Sequence, residues 1–109
     1  MTPEAKVKNA IKKVLETSGI YFIMPMGTGY GKSGVADFVA CHKGKFLAIE
    51  AKAGKGRTTA LQDRELQRVR NAGGVAIVVS DKPEDFVMLG NTIETMKGKN
   101  VIEEMKEEI

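Results

Sequence analysis

At 109 residues the chain is long enough for one domain with one hydrophobic core, and no longer. A single cysteine, Cys41, excludes an internal disulfide; no apolar run approaches the ~18 residues of a membrane span and no secretory leader is evident, so the expected setting is cytoplasmic, with no membrane partner. The net charge of +3 is uneven: residues 94–109 hold five glutamates against three lysines, which leaves 14 basic against 9 acidic side chains in the first 93. A basic body suits a polyanion such as a nucleic-acid backbone, although ordinary solvated lysines meet so modest a balance equally well.

From Pro3 to Ser18, Val7, Ile11, Val14 and Leu15 fall at helical spacing, with Thr2 as the cap, Pro3 at the first position and Gly19 as the stop. Lys6, Lys8, Lys12 and Lys13 of this helix are expected mostly to face solvent, with nucleic-acid contact as the alternative. Ile20 to Met26 is a short strand-forming run, and residues 27–34 form a glycine-rich loop. Val35 to Cys41 and Phe46 to Ala51 are two further strands, with Val35, Phe38, Val39, Cys41, Leu47 and Ile49 assigned to the core. A polar, basic loop over 53–58 leads to a helix from Thr59 to Ala72 that turns Leu61, Leu66 and Val69 inward. Val75 to Val79 is apolar throughout, as in a strand buried on both faces. Pro83 starts a short helix to about Leu89, and Val101, Ile102, Met105 and Ile109, spaced around glutamates, suggest an amphipathic closing helix. The order α-β-β-β-α-β-α describes an α/β or α+β domain with a mixed sheet.

The two strands around residue 43 carry the chemistry. If Lys43-Gly44 is a two-residue turn, paired residue numbers sum to 87: Cys41 faces Phe46, Val39 faces Ala48, and Asp37 faces Glu50. Carboxylates directly across an antiparallel pair have Cβ atoms about 4.5–5.5 Å apart and repel. Lys52, two residues beyond Glu50, lies on the same face. Such a conflict inside an apolar hairpin calls for a compensating group, and a divalent cation with hard oxygen ligands is the natural one. Asp37 and Glu50 supply carboxylates, the Ala51 carbonyl can add a third oxygen, and Lys52 can orient or deprotonate water and neutralise a phosphate. A plain ion pair of Lys52 with one acid would leave the other acid unexplained.

Gly34-x-x-Asp37 followed by Glu50-Ala51-Lys52 resembles the motif of the PD-(D/E)XK nucleases. The wider context is similar to the VRR-NUC (virus-type replication-repair nuclease) family. The resemblance runs from Glu4 to about Val79 and includes Phe46-Leu47-Ala48-Ile49 before Glu50, Gln62 in the following helix, and Gly73-Gly74-Val75-Ala76. Ala36 departs from it, because the broader motif has proline before the aspartate; no ligand atom is lost. The resemblance implies an α/β, restriction-endonuclease-like PD-(D/E)XK core in which helices flank a mixed sheet. One VRR-NUC domain would span 1–109, with its core at 3–90 and a helical tail at 91–109. It further implies Mg²⁺- or Mn²⁺-dependent hydrolysis of DNA phosphodiesters, with Asp37 and Glu50 as metal ligands and Lys52 as base or stabiliser. For stand-alone viral members it implies a homodimer acting on branched DNA such as Holliday junctions, and two symmetry-related sites suit a symmetric junction. A nuclease for flaps or plain duplex remains open on the same residues; a non-catalytic DNA-binding module would not need the carboxylate pair.

Two further positions have a family counterpart and a structural alternative. Glu4 matches a first-helix glutamate that helps hold metal, yet an acid in a first helical turn also answers the helix dipole. Gln62 matches a site residue, yet Thr59-x-x-Gln62 is also a capping-box pattern. Lys55, Arg57, Arg64 and Arg68 form a basic flank that suits phosphate or solvent, and Tyr30 and Lys32 are candidate DNA contacts in the glycine loop. That loop is not expected to bind a nucleotide cofactor. Met26 replaces the first glycine of a P-loop, and the chain runs on into a strand instead of the helix that such a loop opens.

Overall fold

Thr2 starts the first helix by accepting the Ala5 N–H on its hydroxyl at 3.2 Å; Pro3 occupies the first turn, and Gly19, at φ 72°, closes the helix. The computed structural model describes residues 1–26 and 34–98. Within them the elements are α1 (Pro3–Ser18), β1 (Tyr21–Ile23), β2 (Phe38–His42), β3 (Lys45–Ala51), α2 (Ala60–Asn71), β4 (Val75–Val79) and α3 (Pro83–Met96). Among the described residues no helix is long and apolar enough to cross a membrane. The sheet order is β1-β2-β3-β4; the β1–β2 and β2–β3 pairs are antiparallel, and β4 runs parallel to β3 after the α2 crossover. The β2–β3 turn is Lys43-Gly44 with φ of 51° and 80°, the two positive values that a tight hairpin requires. The predicted register follows, with Cys41 opposite Phe46 and Val39 opposite Ala48.

The sheet packs differently on its two faces. On one, Phe38, Ala40, Leu47, Ile49, Ala51 and Val79 meet Val7, Ile11 and Leu15 of α1 and Leu89, Ile93 and Met96 of α3. On the other, α2 lies over Ala36, Ala48 and Ala76 through Leu66, with Val69 and Val78 alongside. Small side chains there let the helix approach the strands closely.

Several sequence expectations change at the margins of this core. Strand β1 is only Tyr21–Ile23, β2 starts later at Phe38, and α3 continues past Leu89 to Met96. Cys41 is exposed: it shares its face with Tyr21 and Phe46, also exposed, on the half of the sheet that α2 does not cover. Val35 is exposed because it precedes the paired strand. Leu61 is 46% exposed, since the inward position one turn before Leu66 is taken by Gln62. Strand β4 is an edge strand: Ala76 and Val79 are buried, while Val75 at its start is exposed. The predicted closing helix and all but the last residue of the glycine loop lie outside the described residues.

Candidate active site

Strand alternation puts Val39 and Ala48 on the α2 face and Glu50 follows Ala48 there, while Asp37 lies just before β2, one step beyond the last β2–β3 pair, Phe38 and Ile49. Asp37 Oδ2 accepts the Ala51 N–H at 2.8 Å, so its carboxylate lies against the end of β3. A strand residue directs its N–H and C=O to the same side, and the Ala51 carbonyl therefore faces Asp37 as well. The next N–H, that of Lys52, points the other way and donates to the Val79 carbonyl at 3.0 Å.

Glu50 is the buried charged residue of the core, 2% exposed. Its Oε1 accepts from Gln62 Nε2 at 2.9 Å and has Lys52 Nζ at 3.7 Å. Its Oε2 is buried without a hydrogen-bond partner among the described residues. Burial pushes the Glu50 carboxyl up to about 7, with the neighbouring Asp37 charge adding to the rise and Lys52 opposing it.

Gln62 meets both of its readings at once. Its backbone N–H donates to Thr59 Oγ1 at 3.2 Å and its Oε1 accepts the Thr59 N–H at 2.9 Å, which is the capping box. The other end of the same amide holds Glu50. Gly34 makes this approach possible: at φ 81°, a Cβ there would stand 2.7 Å from the Leu61 backbone and 3.0 Å from the Gln62 nitrogen. The glycine of Gly34-x-x-Asp37 thus lets the chain pass the first turn of α2 on its way to Asp37.

Sequence reasoning missed one residue. Lys8, expected to face solvent, has its Nζ 3.3 Å from Asp37 Oδ1, with 35% of its side chain exposed. The available signal was its place beside Val7 and three residues before Ile11, at the edge of the buried stripe. Glu4 lies half-buried one turn earlier in α1. No group of three or more His, Cys, Asp or Glu side chains suited to a metal occurs among the described residues, so Glu4 does not complete such a cluster with Asp37 and Glu50. Lys55 and Arg57 are exposed between β3 and α2. Arg64 and Arg68 both turn to Glu65, at 3.7 and 3.5 Å, and are 61% and 56% exposed. Tyr30 and Lys32 lie outside the described residues.

No family model and no curated relative matches the sequence. Solved structures do. A VRR_NUC domain is 21% identical with a TM-score of 0.64, covering 91% of this chain and 98% of its own. A VRR_NUC domain protein is 14% identical with a TM-score of 0.70, covering 88% and 91%. Hjc of Archaeoglobus fulgidus, a Holliday junction resolvase from an archaeal hyperthermophile, is 25% identical with a TM-score of 0.56, covering 72% and 69%. The fold is therefore the restriction-endonuclease-like one, shared with the VRR-NUC domains that the motifs of the sequence resemble.

Proposed function

We propose that the protein is a Mg²⁺- or Mn²⁺-dependent endodeoxyribonuclease that acts as a homodimer on branched DNA, with Asp37, Glu50 and Lys52 at its centre. The observation that carries this reading is Glu50 Oε2, a buried carboxylate oxygen with no partner among the described residues, next in the chain to the Ala51 N–H that holds Asp37. A buried polar atom left without a partner costs about 1–3 kcal/mol, more on a charged group, unless something answers it. The donor set fits a hard divalent ion: Glu50 Oε2, the Asp37 carboxylate and the Ala51 carbonyl. Bound there, such an ion supplies positive charge and Lewis acidity at the phosphate.

The chain's own groups have distinct tasks in this reading. Gln62 fixes Glu50 by holding Oε1, which leaves Oε2 for the ion. The Ala51 N–H fixes Asp37. Lys52, 14% exposed and anchored through its own N–H to Val79, holds an ammonium beside the carboxylates. There it orients the attacking water or offsets charge growing on the phosphate. In the reaction a water oxygen bonds to phosphorus, one P–O ester bond breaks, and the leaving alkoxide takes up a proton. Lys55 and Arg57 follow directly from this end of β3, and Arg64 and Arg68 lie further along α2; these are the candidate phosphate contacts.

The substrate class is supported by the likeness to Hjc, a Holliday junction resolvase. The test compares cleavage of a four-way junction, a flap and a linear duplex with Mg²⁺, Mn²⁺ or EDTA, alongside light scattering for the dimer. Cleavage is expected only with metal and fastest on the junction, and Glu50→Ala should abolish cutting while DNA binding persists. Full-rate cutting by Glu50→Ala would refute the assignment.

A further inference from the structure

Two ammonium groups neutralise the two carboxylates of the metal-free site, and they are held very differently. Lys52 is 14% exposed, follows directly from β3, and has its backbone pinned to β4. Lys8 comes from α1 on the opposite side of the sheet, is 35% exposed, and ends 3.3 Å from Asp37 Oδ1. The second oxygen, Asp37 Oδ2, is already committed to the Ala51 N–H. Oδ1 is therefore the Asp37 oxygen left for a ligand, and the Lys8 ammonium sits on it.

We propose that Lys8 is a built-in stand-in cation: it occupies Asp37 Oδ1 in the metal-free protein and is displaced when a divalent ion enters, so that it sets the metal affinity of the site. The inference rests on the metal-dependent reading above. Without a cation, Asp37 and Glu50 repel across the end of the hairpin, and Lys8 relieves that repulsion on the Asp37 side. A divalent ion bound to both acids would meet the ammonium at close range, where like charges exclude each other. Lys8 can move away: its backbone is fixed by its buried neighbours Val7 and Ile11, but its four-carbon stem is free to change rotamer. Glu4, four residues earlier on the same helix face, offers the displaced ammonium an acceptor in the favourable Glu-to-Lys order. Lys52, largely buried, has no such exit and stays.

The test is calorimetric titration of the full chain with Mn²⁺ at fixed pH and ionic strength. The samples are wild type, Lys8→Met, Lys8→Gln, Lys8→Arg and Asp37→Asn, with circular dichroism to verify folding. Removing a partly exposed pairing charge should tighten Mn²⁺ binding roughly three- to ten-fold in both neutral variants. Lys8→Arg should stay close to wild type, and Asp37→Asn should lose most of the binding. Damage to the fold would weaken binding, so a merely structural role predicts the opposite direction. Equal or weaker binding in Lys8→Met and Lys8→Gln, with wild type still binding, overturns the role of Lys8 and leaves the metal reading intact. Absence of Mn²⁺ binding in wild type overturns both.

Discussion

The side-chain amide of Gln62 joins two parts of the molecule: its oxygen accepts the Thr59 N–H at 2.9 Å, while its nitrogen donates to Glu50 Oε1, also at 2.9 Å. Helix start and buried carboxylate are thereby tied through one planar group.

These two tasks separate by mutation. Gln62→Glu keeps an oxygen for the capping box but removes the donor to Glu50, whereas Gln62→Ala removes both. Urea unfolding should show a loss of ~1 kcal/mol for Gln62→Ala beyond the lost contact with Glu50. Cleavage should fall roughly ten-fold or more in both variants, as for groups that orient metal ligands. Wild-type cleavage by Gln62→Glu would show that the bond to Glu50 has no part in catalysis.

The raised Glu50 carboxyl makes the metal-free protein sensitive to pH. Its ordinary value is 4.5 and its folded value about 7, so between these the folded chain holds a proton that the unfolded chain has lost. Stability therefore falls as pH rises through that window and levels off above it, by up to roughly 3 kcal/mol from this group. Urea midpoints in EDTA from pH 4.5 to 8 should show the decline in wild type and not in Glu50→Gln. Mn²⁺ affinity should rise over the same range, because the ion displaces the proton. A wild-type stability that climbs with pH relative to Glu50→Gln would contradict this assignment.

Gly34 has no room for a side chain and a φ of 81°. Gly34→Ala must either strain that conformation or push α2 away from the hairpin, and a destabilisation of about 1–3 kcal/mol is expected. Because the displaced turn carries Gln62, cleavage should fall in the fraction that remains folded. Thermal melting and cleavage measured on the same preparation would check this, and an unchanged melting temperature would be contrary to it.

Lys43 adopts φ 51° at the first position of the hairpin turn, where asparagine is better suited. Lys43→Asn should stabilise the protein by about 0.5–1 kcal/mol and leave cleavage unchanged, since the turn lies at the opposite end of the hairpin from Asp37 and Glu50. A higher urea midpoint with equal activity is the expected pair of results.

The hairpin was legible because strand period is strict. With Lys43-Gly44 as the turn, strand period sets Asp37 opposite Glu50, and the observed register keeps that numbering as far as Phe38 opposite Ile49. The capping residues of α1 were equally plain, because Thr2, Pro3 and Gly19 act locally. What escaped depends on contacts distant in sequence. Cys41 is apolar enough for a core, and only the limited reach of α2 over the sheet leaves it exposed. Lys8 has the composition of a solvated lysine and finds Asp37 only when α1 docks across the sheet. For Gln62 the two competing explanations, cap and site, use opposite ends of one amide, a possibility that sequence spacing does not reveal.

That same exposed Cys41 gives the protein an experimental handle, since the sequence contains no other thiol. A nitroxide or fluorophore attached there marks each copy once, with no background sites to remove. Dipolar spectroscopy on the labelled protein would then test for the proposed dimer, measure the spacing between its copies directly, and show whether it changes when a branched duplex is added.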